Sequence, residues 1–206
     1  MADLTMEQEI GGLVAGCDEA GRGSWAGPIV AAAVILPSKI ILPGVNDSKT
    51  IKKKNHRMLA DMILEKAVAV GIGVAGSDFV DEKGLAYANR YVIQQAVKNL
   101  SVRPEFLLID GGVQQEIEID IPQREVVKGD QKSLSIAAAS IVAKSIHDAL
   151  MKKYAVKYPQ YNWDDNAGYG TMEHKCAIAK YGICEYHRKS VKPVKEYLKK
   201  NGMQKG

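Results

Sequence analysis

Cysteine, proline and aromatic residues are scarce in this sequence, and it has no long apolar run. Three cysteines in 206 residues are too few, and an odd number, for a disulfide-stabilised scaffold. The longest apolar stretch, residues 26–36, is interrupted by Gly27 and Pro28 and is much shorter than the roughly 20 residues of a membrane-spanning helix. The first ten residues are acidic and lack the basic region of a signal peptide. We therefore expect a soluble, cytoplasmic protein without a membrane partner.

Positive charge, by contrast, is concentrated at one end of the chain. The net charge is only +4, but residues 182–206 contain seven Lys or Arg and two Glu, and the remaining residues are close to neutral. A basic segment of this kind indicates either a surface that binds a polyanion such as nucleic acid, or a solvated amphipathic helix. The length predicts a monomer. The order of the predicted elements and the basic segment indicate an α/β core over residues 1–160 and a helical, basic C-terminal extension over residues 161–206.

Hydrophobic periodicity divides the chain into strands and helices. Short apolar runs predict strands over residues 12–17, 29–36, 68–75, 106–109 and 124–127. Apolar residues at helical spacing predict helices over residues 51–66, 84–100 and 133–155, one from about Glu173 and one from about Pro193. A polar loop is expected over residues 162–170. Because a strand hairpin comes first and later strands alternate with helices, the predicted fold class is α/β with a mixed sheet.

Acidic residues follow three of these strands. Asp18, Asp110 and Asp130 each come at the carboxyl end of a short apolar run, and Glu19 follows Asp18. Open α/β sheets bind ligands outside those strand ends, so the carboxylates converge if the strands are neighbours. Converging carboxylates repel one another unless a divalent cation lies between them, and oxygen ligands favour Mg²⁺ or Mn²⁺ over zinc. The alternative is that each aspartate only caps a turn.

A glycine-rich stretch comes after the first strand. Gly21, Gly23 and Ala26 fit G-x-G-x-x-A, the pattern of dinucleotide-binding loops. That pattern must open a helix whose N-terminus holds the pyrophosphate. Here Pro28 and an apolar run predict a strand, which disfavours the dinucleotide interpretation.

A group of histidines and cysteines suggests zinc at first sight: His174, Cys176, Cys184 and His187. No C-x-x-C pattern occurs among them. The first two would lie about 200° apart on a helix. Zinc is therefore disfavoured.

Polar residues on the helix over 133–155 form a line along one face: Ser133, Ser140, Lys144, and His147 or Asp148. The line is either a phosphate-binding surface beside the acids or an ordinary solvent face.

Tyr169 lies between two glycines in the predicted loop. Its ring is placed either to stack on a base or sugar or to be half-buried in a turn.

Eight stretches of the sequence carry a family resemblance: AGCDEAGRG (15–23), AGPIVAAAVIL (26–36), NDSK (46–49), LLIDG (107–111), KGD (128–130), SIAAASIVAK (135–144), GYGT (168–171) and YHRKSVKPV (186–194). In this order and at these spacings they resemble the bacterial ribonuclease HII family, the type 2 ribonucleases H. The resemblance covers about residues 12–195. It implies a ribonuclease H-like fold, in which helices flank a five-stranded mixed sheet, here with a helical C-terminal extension.

The resemblance also implies the site residues. Four acids are implied as catalytic residues and metal ligands: Asp18, Glu19, Asp110 and Asp130. Seven residues are implied as substrate-binding: Gly21, Arg22, Gly23, Tyr169, Lys49, Ser140 and Lys144. Of these, the Gly-Arg-Gly loop would hold the ribonucleotide at its 2′-hydroxyl, and the tyrosine would stack on the deoxyribose that follows. Lys49, Ser140 and Lys144 would contact phosphates, and the basic tail would follow the duplex backbone.

The implied activity is hydrolysis of the RNA strand of RNA/DNA hybrids and cutting 5′ to single ribonucleotides in duplex DNA, as in ribonucleotide and RNA-primer removal. Two Mg²⁺ or Mn²⁺ ions about 4 Å apart would bridge the carboxylates and the scissile phosphate, leaving 5′-phosphate and 3′-hydroxyl ends. The chain departs from the usual family residues at Ser24-Trp25, Thr50, His147, Ala167 and Val191. Loss of positive charge at positions 50, 147 and 167 would weaken phosphate contacts or shift the substrate preference.

Three other functions are compatible with part of this pattern. A type 3 ribonuclease H shares the acids but usually has an additional N-terminal domain, whereas about 11 residues precede the first strand here. A non-catalytic nucleic-acid-binding module is expected to lack one or more of the acids. A metal-dependent hydrolase of small phosphates does not require the basic tail or an exposed Tyr169, and both features count against it.

Overall fold

The computed structural model describes residues 2–45, 53–111 and 117–202. Its five strands are β1 (Val14–Ala20), β2 (Ile29–Ile35), β3 (Ala69–Ala75), β4 (Phe106–Asp110) and β5 (Gln123–Val126), in the order β3-β2-β1-β4-β5. β1, β2 and β3 pair antiparallel, whereas β4 lies parallel to β1 and β5 lies parallel to β4. The predicted hairpin and mixed sheet are confirmed. Because β2 follows the glycine-rich stretch, the dinucleotide alternative lacks the helix that it requires.

The described residues also form eight α-helices: α1 (Thr5–Ile10), α2 (Lys53–Lys66), α3 (Ser77–Lys83), α4 (Leu85–Lys98), α5 (Leu134–Lys157), α6 (Trp163–Asn166), α7 (Met172–Tyr181) and α8 (Lys192–Lys200). The five helices predicted from periodicity are confirmed. The sequence pattern gives no indication of α1 and α3, because six or seven residues are too few for a helical period to show. The four-residue α6 lies inside the predicted loop.

Helices cover both faces of the sheet. α3 and α4 pack on one face, where Val80 and Val92 contact a cluster that includes Cys17 and Ile109. α2 and α5 pack on the other face, against strand residues such as Val34. Side chains alternate between these two faces along each strand, so neighbouring residues of one strand face different helices.

Gly16 allows α5 to lie directly on β1. A Cβ atom at Gly16 would overlap with the backbone of Ser135 and Ile136. The N-terminus of α5 is capped by Ser133, whose Oγ accepts the Ile136 N–H at 3.2 Å. Glu7 of α1 adds a negative charge there, since its Oε1 accepts the Ser135 N–H at 2.9 Å. α5 is therefore fixed to the strand that carries the first two acids.

By length and composition α5 could span a membrane, but most of its apolar stretch is buried inside the fold, as in the core helix of a globular domain.

A third apolar cluster connects the C-terminal residues to the core, with Tyr161, Trp163 and Val194 packed against Ala26 and Met151. α6, α7 and α8 make the C-terminal extension helical, as the sequence predicts. The domain boundary near residue 160 stays a prediction, and this cluster lies on both sides of it.

Candidate active site

The carboxyl ends of β1 and β4 bring two acids together. In this parallel pair Cys17 lies opposite Ile109, and Asp18 and Asp110 are the next residues of the two strands. Because side chains alternate, both carboxylates lie on the α5 face of the sheet. Asp18 is only 7% exposed, and its carboxylate accepts a hydrogen bond from the Ser140 hydroxyl of α5. A helix and two strands therefore fix this pair of acids.

Burial and mutual repulsion disfavour the charged forms of these acids. Burial, followed by the neighbouring Glu19, raises the pKa of Asp18 well above its ordinary value, and the Ser140 hydrogen bond opposes this. Burial also raises the pKa of Asp110, although the Gly129 N–H donates to its Oδ1 at 2.6 Å and acts in the opposite direction. A bound divalent cation would relieve this repulsion.

Asp130 lies at the third strand end, just after β5. It belongs to a short 3-10 turn, Gly129–Gln131, that follows Lys128 in a left-handed conformation with φ 53°. Its charge contributes to the raised pKa of Asp110. The K-G-D motif thus supplies one acid and, through the Gly129 N–H, holds another. All four predicted acids lie at one edge of the sheet.

Glu19, the residue after Asp18 in β1, reaches towards α4 but remains close enough to Asp18 and Asp110 for the charges to repel. Its carboxylate accepts a hydrogen bond from the Asn89 side chain and lies 3.6 Å from the Arg22 guanidinium. Burial raises the pKa of Glu19, and the Arg22 charge opposes this. Asn89 is 2% exposed and is a site residue that the sequence-based prediction misses. The available signal is a polar residue inside the apolar face of α4, next to Ala88.

The glycine-rich loop after β1 lies against Tyr169. Gly21 has a positive φ of 80°, and a Cβ atom there would overlap with the His147 side chain and the Pro28 carbonyl oxygen. A Cβ atom on Gly23 would meet only the Tyr169 ring, at 3.8 Å. Since Tyr169 is 36% exposed, part of its ring is accessible to a ligand that approaches the loop. The structure brings together the predicted Gly-Arg-Gly loop and the predicted tyrosine.

Lys144 joins this group from α5. Its Nζ lies 5.4 Å from the centroid of the Tyr169 ring and 2.7 Å from Asp148 Oδ1. The polar line on α5 is not an ordinary solvent face, because Ser133 and His147 on that line are fully buried. Ser140 is directed at the acids rather than outward. Lys49, the remaining predicted substrate contact, lies outside the described residues.

A buried pair of histidines lies behind Tyr169. The Cys184 N–H donates to His187 Nδ1 at 3.0 Å, so His187 carries its proton on Nε2 and donates to His174 Nε2 at 3.1 Å. His174 in turn donates from Nδ1 to the Tyr169 carbonyl oxygen at 3.0 Å, and Trp163 donates to His174 Nε2 at 3.2 Å. Burial lowers the pKa of both histidines, that of His187 to about 3, so both are neutral at pH 7. Their ring nitrogens thus support the Tyr169 loop through hydrogen bonds.

The predicted acids form a donor set that suits a hard divalent cation. They offer only carboxylate oxygens, which favour Mg²⁺ or Mn²⁺. Within the described ranges, no three His, Cys, Asp or Glu side chains are arranged to enclose an ion by themselves. Mg²⁺ is commonly held by one or two carboxylates, and waters and substrate phosphates complete its coordination. The acids fit a metal that is shared with the substrate.

Comparison with known proteins identifies the family of this chain. The family profile for Ribonuclease HII matches residues 15–194. Relatives named Ribonuclease HII are 50% identical over 188 residues in Lactobacillus delbrueckii subsp. bulgaricus (91% of this chain, 72% of the relative) and 45% identical over 186 residues in Bacillus cytotoxicus (90% and 71%). The crystal structure of the ribonuclease H2 from Pyrococcus horikoshii OT3 superposes with a TM-score of 0.76 at 21% identity, covering 92% of this chain and 98% of that one, which shows the shared ribonuclease H-like fold. The chain belongs to the ribonuclease HII family and is a metal-dependent ribonuclease H.

Proposed function

We propose that this enzyme cuts duplex DNA on the 5′ side of a single embedded ribonucleotide, in addition to hydrolysing the RNA strand of RNA/DNA hybrids. The observation that carries the proposal is the position of Gly23 against the Tyr169 ring, beside the acids of β1 and β4. A backbone loop that contacts a 2′-hydroxyl and a ring that stacks on the next sugar suit a ribonucleotide followed by DNA. Family membership supports the coarser activity on hybrids.

We assign four acids as ligands of Mg²⁺ or Mn²⁺: Asp18, Glu19, Asp110 and Asp130. A pair of such ions, held by these carboxylates, would supply activation of the attacking water and stabilisation of the leaving 3′-oxygen, as cleavage to 5′-phosphate and 3′-hydroxyl ends requires. The protein holds the carboxylates in place from three elements: the Ser140 hydroxyl on α5, the Gly129 N–H after β5 and the Asn89 side chain on α4. These contacts keep the acids ordered against their mutual repulsion.

The substrate would lie across the Gly21–Gly23 loop. Tyr169 and Lys144 would contact it from the other side of the strand that is cut. The glycines let the backbone approach the ribose closely, because neither carries a side chain that would separate the loop from the sugar. The Arg22 side chain is 53% exposed and is available to a phosphate as well as to Glu19. Lys144 would contact a phosphate from the α5 side.

α8 would contact the duplex further from the cut. Its apolar residues Val194 and Leu198 are buried, while four lysines on this helix face solvent: Lys192, Lys195, Lys199 and Lys200. The two sequence interpretations of the basic segment are thus compatible, since the helix is amphipathic and its exposed face is cationic. Contact with a phosphate backbone makes binding weaken as the salt concentration rises.

The experiment that tests the proposed function is a gel assay on a DNA duplex with one ribonucleotide. The enzyme is incubated with Mg²⁺, with EDTA, and with an all-DNA duplex as the control substrate. We expect one cut 5′ to the ribonucleotide that requires both the metal and the 2′-hydroxyl. Cutting of a long hybrid without cutting at the single ribonucleotide would contradict the proposal. Failure to cut either substrate would favour a binding module, and release of phosphate from p-nitrophenyl phosphate would favour a hydrolase of small phosphates.

Divalent cations are expected to stabilise the fold more at pH 8 than at pH 5. The raised pKa of Asp18 means that the folded state binds this proton more tightly than the unfolded state. The metal-free protein therefore loses stability as the pH rises from about 4, the pKa of an unfolded Asp, through the raised value. The metal binds the ionised carboxylate, so a metal concentration of about 100 times the Kd should raise the Tm at pH 8 by about 5 to 10 °C.

Thermal unfolding followed by circular dichroism, with metal and with EDTA, measures this shift. The Asp18→Asn variant is the control and should lose most of the shift at pH 8. Equal shifts at pH 5 and pH 8 in the wild-type protein would argue against metal binding at these acids.

Tyr169→Ala is expected to impair cutting at a single ribonucleotide more than cutting within a long hybrid. Stacking of one base or sugar on an aromatic ring contributes about 1 to 3 kcal/mol, so kcat/KM should fall about tenfold or more at the RNA–DNA junction. Inside a long hybrid the next sugar is a ribose, and the junction contact is not used. Tyr169→Phe keeps the ring and should behave like the wild-type enzyme. An equal fall in kcat/KM on the two substrates would show that Tyr169 does not recognise the RNA–DNA junction.

A further inference from the structure

Arg188 is a fully buried arginine next to the substrate loop. Its side chain is 0% exposed, yet it lies 166 positions along the chain from Arg22, whose carbonyl oxygen it contacts. Burial lowers the pKa of Arg188 to about 10, so the guanidinium remains charged at neutral pH. A buried charge is costly unless strong acceptors surround it, and this arginine therefore needs an explanation in terms of its partners.

The partners of the guanidinium are three carbonyl oxygens of one loop. Nη1 donates to Arg22 at 3.0 Å, Nε donates to Gly27 at 2.9 Å, and Nη2 donates to Pro28 at 2.7 Å. The Arg188 backbone N–H adds a bond to the Trp25 carbonyl oxygen at 2.8 Å. One residue thus binds both ends of the segment 22–28.

This segment needs such support because its own backbone is irregular. Gly21 and Gly27 both have positive φ, 80° and 86°, so the chain between β1 and β2 forms neither helix nor strand. Its carbonyl groups lie outside the β1–β2 pairing and require other donors. The planar guanidinium offers five N–H donors in a fixed arrangement, whereas a lysine offers a single compact nitrogen.

We propose that Arg188 is a positioning residue for recognition of the ribonucleotide. By holding the Arg22 carbonyl it fixes the Gly-Arg-Gly loop that contacts the 2′-hydroxyl, while the proposed phosphate contacts of Lys144 and of the α8 lysines lie on other elements. The inference rests on the proposed function, since it takes this loop as the binding site of the ribonucleotide. It assigns part of the substrate preference to a residue of the C-terminal extension that does not touch substrate.

Two variants test the proposal. Arg188→Lys keeps the charge but has one nitrogen in place of three, and Arg188→Gln removes the charge and keeps an N–H₂ donor. Arg103→Lys is the matched control, because Arg103 also donates to a backbone carbonyl, that of Asp120 at 2.8 Å, but is exposed and lies outside the site. Circular dichroism first establishes that each variant is folded at the assay temperature.

The readout compares the KM for a duplex with one ribonucleotide with the inhibition constant of the matching all-DNA duplex. We expect Arg188→Lys to raise the KM about tenfold or more and to leave the inhibition constant within twofold of the wild-type value, because the proposed phosphate contacts of Lys144 and of the α8 lysines are intact. A merely structural role would lower the Tm and leave both constants unchanged in the folded protein. That result would overturn the proposal, as would an equal rise of both constants or the failure of both Arg188 variants to fold.

Failure of the proposed function gives a different result. If the wild-type enzyme cuts only long hybrids, the proposed cutting at single ribonucleotides is wrong. The same comparison of KM and inhibition constant, made with the hybrid as substrate, then still decides whether Arg188 supports recognition of the 2′-hydroxyl.

Discussion

Asp18→Asn is expected to reduce the rate of cleavage by at least about 10³-fold on both substrates while the protein stays folded. Asparagine has the same shape and keeps the oxygen that accepts the Glu19 N–H at 2.7 Å. It lacks the negative charge with which the aspartate would attract a divalent cation and offset its charge. Single-turnover rates with Mg²⁺ on a hybrid and on a duplex with one ribonucleotide measure the loss.

The fold of this variant separates lost chemistry from lost structure. Because burial and Glu19 raise the pKa of Asp18, the neutral side chain should make the metal-free protein at least as stable as the wild type at pH 8. Asp61→Asn, on the exposed face of α2 where Asp61 pairs with Arg57, is the matched control and should retain full activity. A rate for Asp18→Asn within threefold of the wild-type rate would refute the assignment of Asp18 as a metal ligand.

Gly16→Ala is expected to destabilise the protein and to lower its activity together. The added methyl group overlaps with backbone atoms of Ser135 and Ile136, which cannot rotate away as a side chain does. Relief requires α5 to move off β1, at a cost of about 1 to 3 kcal/mol or more, or about 2 to 12 °C in Tm for a chain of this size. Denaturant unfolding measures the cost. Activity should fall because α5 carries the Ser140 contact to Asp18.

Gly23→Ala is the control for the stability measurement on Gly16→Ala and is not used to compare activity. Its added methyl group would meet nothing closer than the Tyr169 ring at 3.8 Å, so its free energy of unfolding should lie within about 0.5 kcal/mol of the wild-type value. Wild-type stability of Gly16→Ala would show that the packing of α5 on β1 adjusts more easily than its contacts indicate.

Much of the fold could be predicted from sequence because its main elements have strong local patterns. β2 is a continuous apolar run and α5 is a long helix with a serine cap, and both need little context to identify. The acids could be predicted because each follows a strand, and strand ends on neighbouring parallel strands share one edge of the sheet. Short elements such as α1 depend on contacts with distant residues, such as the bond from Ser135 to Glu7, and these leave no local pattern.

The supporting residues of the site were harder to predict for the same reason. Asn89 is recognisable only once α4 is known to pack beneath Glu19. In the sequence Arg188 is one more cation in a basic segment, and its burial follows from contacts with a loop 160 or more residues away. His147 sits on a predicted polar line but lies buried against Gly21, because glycine at that position leaves space for an imidazole. A sequence pattern indicates which face a residue occupies but not which distant element covers that face.

The long separation between Arg22 and Arg188 also sets the order in which the substrate loop and its support are synthesised. During synthesis the substrate loop is made early, and the arginine that holds its carbonyl follows 166 positions later. At about 5 to 20 residues per second, the ribosome needs about 8 to 33 s to cover this distance. In the second half of that interval the nascent chain already contains Asp18 and Asp110 but lacks the residue that fixes the loop. The hydrogen bonds that fix this loop can therefore form only after Arg188 has been synthesised.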